Sequence, residues 1–143
     1  MNIFFDTSSL FKLYHEEEGT DQLLDFLNNN PGYKIYLSEL TLVEIYSAIL
    51  KKVRIGHLSL AQAKIFFAVL DSDFKKFLFV SIDSPLIKNS QQLVVKYGAK
   101  GLRSLDAIQL ASAINIKSLI DLALTGDMLL KQFLIDEGIN CDF

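Results

Sequence analysis

Asp106 in "LRSLDAIQLASA" stands among leucine, isoleucine and small residues, and Asp6 in "IFFDTSSL", Glu44 in "SELTLVEIYSAI" and Asp127 in "LTGD" are the acids that could act with it. An acid in such a place loses solvation unless hydrogen-bond donors or a cation compensate it, and several acids together take up protons unless something cationic holds them. Carboxylate oxygens without histidine or thiolate suit a hard ion, Mg²⁺ or Mn²⁺, which binds through a few carboxylates and keeps several waters. Water on such an ion is acidic enough to attack phosphorus, so hydrolysis of a phosphodiester is the chemistry this residue set fits.

The elements that must position these acids follow from hydrophobic patterning. "NIFF", "KIYLS", "FLFVSI" and "LIDLALT" read as short buried strands, separated by stretches of helical period. That alternation predicts an α/β chain with helices on both faces of a parallel sheet. Helices are expected around Leu10 to Tyr14, from Thr20 to the turn at "NNNPG", and from a cap at Ser38 to Val53 before Gly56. Others follow Ser59, span Pro85 to Tyr97, run from a cap at Ser104 to Asn115, and span Met128 to Glu137, with a short final strand after Gly138. No internal repeat or linker divides the chain, so a single domain over residues 1–143 is expected.

In such a sheet the strands end at one edge, where the returning helices begin. Asp6 closes the first strand, Asp127 follows the strand "LIDLALT" by one glycine, Asp106 sits in a first helical turn, and Glu44 lies under two turns into its helix. The four are expected to converge on that edge. Singly, each has an ordinary role: Asp106 as a carboxylate favoured by the helix dipole, Glu44 as an exposed helix residue, Asp6 in a turn, Asp127 as a cap. Asp83 also ends a strand, and topology alone leaves it a fifth candidate.

Composition narrows the alternatives. Half of the 143 residues are hydrophobic and 22% are charged, which argues against disorder. The mean hydropathy of +0.28 and eleven phenylalanines point either to a Phe-rich core or to apolar surface covered by another chain. A net charge of −3 supplies no global field for nucleic acid, leaving that task to a local basic rim. The lone Cys141, with His15 and His57, gives no zinc spacing or disulfide framework, so a reducing, cytoplasmic setting is expected. No leader pattern or membrane-length apolar run is evident, and neither is a nucleophile elbow, a P-loop or a G-x-G-x-x-G turn.

The four acidic segments, in this order and spacing, resemble the PIN-domain nucleases, most closely the VapC-like toxins of type II toxin-antitoxin systems. The likeness spans nearly the whole chain. It implies a three-layer α/β/α sandwich around a parallel sheet of four to five strands. It also implies an acidic site of Asp6, Glu44, Asp106 and Asp127 that binds Mg²⁺ or Mn²⁺ and cleaves RNA, and it gives no role to the position of Asp83. Asp6 and Asp106 are then the expected direct ligands, with Glu44 and Asp127 acting directly, through water or on a second ion. The resemblance further implies a homodimer and an antitoxin laid in a hydrophobic groove, which would use the surplus apolar residues.

Around these acids, Ser8 and Thr125 are placed to orient a carboxylate or water. Lys12, Lys100 and Arg103 lie beside rim elements and are candidates for RNA phosphates, whereas Lys51, Lys52 and Arg54 end a helix and are expected at the opposite edge, complementing its dipole. Two other functions share this fold: a ribonuclease of RNA processing without an antitoxin, and a non-catalytic protein-interaction module. A receiver-like phosphorylated domain would want paired acids after the first strand and a late lysine, and "DTSSL" and "LTGD" supply neither.

Overall fold

The computed structural model describes residues 1–142. Four strands, β1 (Asn2–Phe5), β2 (Lys34–Ser38), β3 (Leu78–Val80) and β4 (Leu122–Leu124), pair in parallel in the order β3-β2-β1-β4. Phe5 is in register with both Leu37 and Leu124, so the central strands end level and their following residues share an edge.

The pleat explains why two helical layers are needed. Ile3, Phe5, Ile35, Leu37, Leu122 and Leu124 pack into one core, with α1 (Thr7–Phe11), α2 (Thr20–Asn29), α3 (Thr41–Arg54) and α4 (Leu60–Asp73) contributing to it. The intervening Phe4 and Ala123 belong to a second core shared with α5 (Ser84–Tyr97), α6 (Ser104–Asn115) and α7 (Met128–Asp136). Period-two side chains on a doubly covered sheet thus give the expected α/β/α sandwich, with four strands.

Local differences have identifiable causes. Ser38 is not the cap of α3: it ends β2, fully buried, where its hydroxyl accepts from Leu40 N at 3.2 Å and from Ser112 Oγ at 2.9 Å. The helix starts at Thr41 without a side-chain cap. Ser104 is likewise the first residue of α6 rather than its cap, which is Arg103. Residues 139–142 form no strand, although Ala123 N donates to Asn140 O at 2.8 Å along the outer side of β4. By contrast Ser59 caps α4 in a reciprocal capping box with Gln62, as its position before the periodic run suggests.

Leu110 on α6 is fully buried between sheet and helices. Leu110→Ala should lower unfolding stability by about 2–5 kcal/mol, read from urea denaturation at unchanged m-value.

Candidate active site

The chain leaves β1 directly into Asp6, whose extended backbone makes it the cap of α1: Oδ1 accepts from Ser9 N at 2.8 Å. Ser8 Oγ donates to both carboxylate oxygens at 2.8 Å, and Thr125 Oγ1 donates to Oδ2 at 2.6 Å. The same hydroxyls accept in turn, Ser8 from Gly126 N at 2.8 Å and Thr125 from Asp127 N at 3.0 Å. Two bonds of this web, Thr125 Oγ1 to Asp6 and Gly126 N to Ser8 Oγ, cross between the chain ends and tie those of β1 and β4 together. Gly126 lies in close approach: a Cβ there would stand 3.1 Å from Ser8 Oγ and press on the hydroxyl that holds Asp6. Burial pushes the Asp6 pKa up, against the lowering effect of its hydrogen bonds from Thr125, Ser9 and Ser8.

Glu44, half-buried in the first turn of α3, is held through Oε1, which accepts from Gln109 Nε2 at 2.7 Å and Thr7 Oγ1 at 2.8 Å. Gln109 is 3% exposed, and its Nε2 also lies 3.1 Å from Thr41 Oγ1 and 3.2 Å from Thr7 Oγ1. Turning its amide would set oxygen against carboxylate, so the amide keeps Nε2 inward although the buried Oε1 then has no partner among the described residues. Asp106, in the first turn of α6, pairs with Arg103 Nε at 3.1 Å. Asp127 caps α7, its Oδ1 accepting from Leu129 N at 2.8 Å and Leu130 N at 3.0 Å.

All four acids line one cavity of about 720 Å³, together with Thr7, Ser8 and Gln109; a fifth carboxylate, Glu17, also lines it and is paired with Lys52 at 3.2 Å. Asp83 does not: it caps α5 by accepting from Leu86 N at 2.9 Å. Ser8 and Thr125 stand where expected, on the Asp6 carboxylate. Gln109, Thr7 and Thr41 were missed by sequence reasoning, although Gln109 carried a signal. It interrupts the same apolar run as Asp106, three residues on, and so shares a helix face with it.

The expected phosphate contacts divide. Lys12 does not line the cavity; its Nζ lies 3.6 Å from where a Gly126 Cβ would be, beside the Asp6 turn, and has no ion-pair partner among the described residues. Arg103 is engaged by Asp106, and Lys100 is exposed outside the cavity. The placement of Lys51, Lys52 and Arg54 is corrected: they line the cavity that holds the acids, because α3 runs along its wall from Glu44 to Arg54.

For a hard cation the donor set fits in kind, carboxylates without thiolate or imidazole, and a buried Asp6 of raised pKa is the group a cation would relieve. Spacing is looser than the chemistry: among the described residues no three acidic, histidine or cysteine side chains stand close enough together to hold one ion. An ion held by one or two carboxylates and otherwise by water is the kind this arrangement suits.

A PIN domain model matches residues 3–131, most of the chain. The chain belongs to the PIN domain family. No curated protein matches it. Among solved structures it resembles Mycobacterium tuberculosis VapC20, a sarcin-ricin loop cleaving toxin. Identity is 17% and the TM-score 0.68, over 91% of this chain and 93% of that one. The VapBC2 structure from Rickettsia felis, bound to a promoter DNA fragment, has 15% identity and a TM-score of 0.64, covering 99% and 98% of the two chains. For FitAcB from Neisseria gonorrhoeae the values are 17%, 0.66, 99% and 96%. At such identities these likenesses establish that the PIN fold extends over the chain. No helix among the described residues is long and apolar enough to cross a membrane.

Two outcomes follow for this PIN site. Gln109→Leu strips donors from Glu44, Thr7 and Thr41, and should cost about 1–3 kcal/mol in urea unfolding. Asp6, with a folded pKa above its ordinary value, stabilises the fold fully below that ordinary value and loses this contribution as pH rises through the folded pKa. Asp6→Asn should therefore unfold at a higher temperature than wild type in chelator at pH 7, with the gain vanishing as pH falls toward the ordinary carboxylate range.

Proposed function

We propose that the chain is a Mg²⁺- or Mn²⁺-dependent endoribonuclease, the toxin of a type II toxin-antitoxin pair. One observation carries the reading: in a PIN-family chain, four carboxylates from four separate elements line a single cavity. Asp6 and Asp106 would hold the ion, with Glu44 and Asp127 binding it directly, through water, or at a second ion. Once bound, the ion supplies an acidified water for attack and a positive charge for the leaving oxygen. Ser8 and Thr125 fix the direction of the Asp6 carboxylate, and Gln109 with Thr7 does the same for Glu44. Lys12, beside Gly126, is positioned for a substrate phosphate.

The antitoxin part of the reading draws on the apolar side chains beside the acids. Val43, Leu105, Met128 and Leu129 are 70%, 49%, 78% and 44% exposed, next in sequence or close to Glu44, Asp106 and Asp127. Exposed apolar surface around a charged centre is the pattern of a protein-docking site, and the VapBC2 and FitAcB likenesses support a partner protein. Exposed Leu60, Ile65 and Val69 on α4 support a homodimer. The lone, buried Cys141 supports a reducing, cytoplasmic setting.

The spacing of the acids favours one other reading, a PIN-fold interaction module without catalysis, since each acid already has partners within the chain and no three are poised around an ion. Cleavage of a mixed RNA pool across a Mg²⁺ and Mn²⁺ titration separates the two. Metal-dependent cutting that falls to the buffer level in Asp6→Asn and Asp106→Asn is the expected result. Equal traces for wild type and variants would leave the interaction module.

A further inference from the structure

The cavity does not end at the acids. Along α3, Glu44, Ala48, Lys51 and Ile55 recur at intervals of four, three and four residues, so they form one stripe on the helix, and all four line the cavity wall. Between the acid and the cation the stripe and its neighbour carry only the small residues Ala48 and Ser47, which leave the floor of the groove open. Lys51 and Arg54 close its far end. Both are exposed and neither has an acidic partner among the described residues, whereas Lys52 between them is bound to Glu17 at 3.2 Å and lies over the Phe11 ring. Service to the helix dipole would explain cations anywhere around the last turn. It does not explain two unpaired ones on the wall that also carries Glu44.

We infer that Lys51 and Arg54 form a phosphate-gripping end of the groove, which holds the backbone of single-stranded RNA whose scissile bond lies at the acids. This rests on the ribonuclease reading. At about 1.5 Å per helical residue, Lys51 stands roughly 10 Å and Arg54 roughly 15 Å along α3 from Glu44. A single strand of a few nucleotides spans that distance, so its phosphates can meet both side chains while the scissile bond lies at the acids. Charge complementarity sets the polarity of the track. The acidic end repels phosphate unless a cation is present, and the basic end attracts it with no requirement for base identity.

The test is binding of a fluorescent uridine 12-mer to the full chain in a cleavage-blocked Asp106→Asn background, measured as a function of salt. The background is compared with the same chain carrying Lys51→Ala and Arg54→Ala, and with a control carrying Lys64→Ala and Lys88→Ala, which removes equal charge from exposed positions outside the cavity. Each single-strand phosphate contact contributes about 0.7 to the slope of log affinity against log salt, so the groove variant should lose about 1.4 and the control nothing. Equal slopes in all three, or equal losses in both variants, would overturn the inference while leaving metal-dependent cleavage by wild type intact. Loss of a protein partner by the groove variant with an unchanged RNA slope would assign the end to protein and overturn it too. Failure of wild type to cleave and of the background to bind RNA would remove the ribonuclease reading and this inference with it.

Discussion

A carboxylate at the end of a central strand, 6% exposed, has to be made tolerable, and much of the local architecture does so. Asp6 receives donors from Ser8, Ser9 and Thr125, and these come from two different strand ends. The same hydroxyls take up backbone amides of Gly126 and Asp127, so satisfying Asp6 also fixes the turn that carries the next acid. Burial nevertheless holds its pKa above the ordinary value. A site in which internal donors nearly suffice leaves a remainder of unfavourable charge that a bound cation would offset.

The second half of the site is built on a different bond. Gln109 spans α6 to α3 and α1, with one buried amide nitrogen shared among Glu44, Thr41 and Thr7. Its oxygen shows where packing had to give way: the orientation that serves the carboxylate leaves Oε1 without a partner among the described residues. Two clusters, one around Asp6 and one around Glu44, face the same cavity from adjacent helix starts, with Asp106 and Asp127 completing its lining.

The elements were legible because both cores impose strong periodicities. The central strands β1 and β4 are nearly all apolar, so the acids that follow them stand out, and the edge that collects them follows from parallel topology. Caps were less legible where tertiary contacts outbid local ones: Ser38 and Ser112 bond to each other inside the core, and α3 begins later without a side-chain cap. The cations at the end of α3 were misplaced because topology assigns a helix end to an edge. The cavity, by contrast, runs along the whole helix, and its extent depends on the small side chains at Ser47 and Ala48. Gln109 was hidden by type, since an amide inside an apolar run does not declare which helix it bridges to.

Whether the four acids act as one cation-dependent unit is decided by Mn²⁺ binding, followed by loss of the free-ion electron paramagnetic resonance signal. Wild type should take up Mn²⁺, Mg²⁺ should compete it off, and Asp6→Asn and Asp106→Asn should each weaken uptake at least tenfold. The contradicting result is Mn²⁺ uptake that is absent in wild type, or unchanged when either aspartate is replaced.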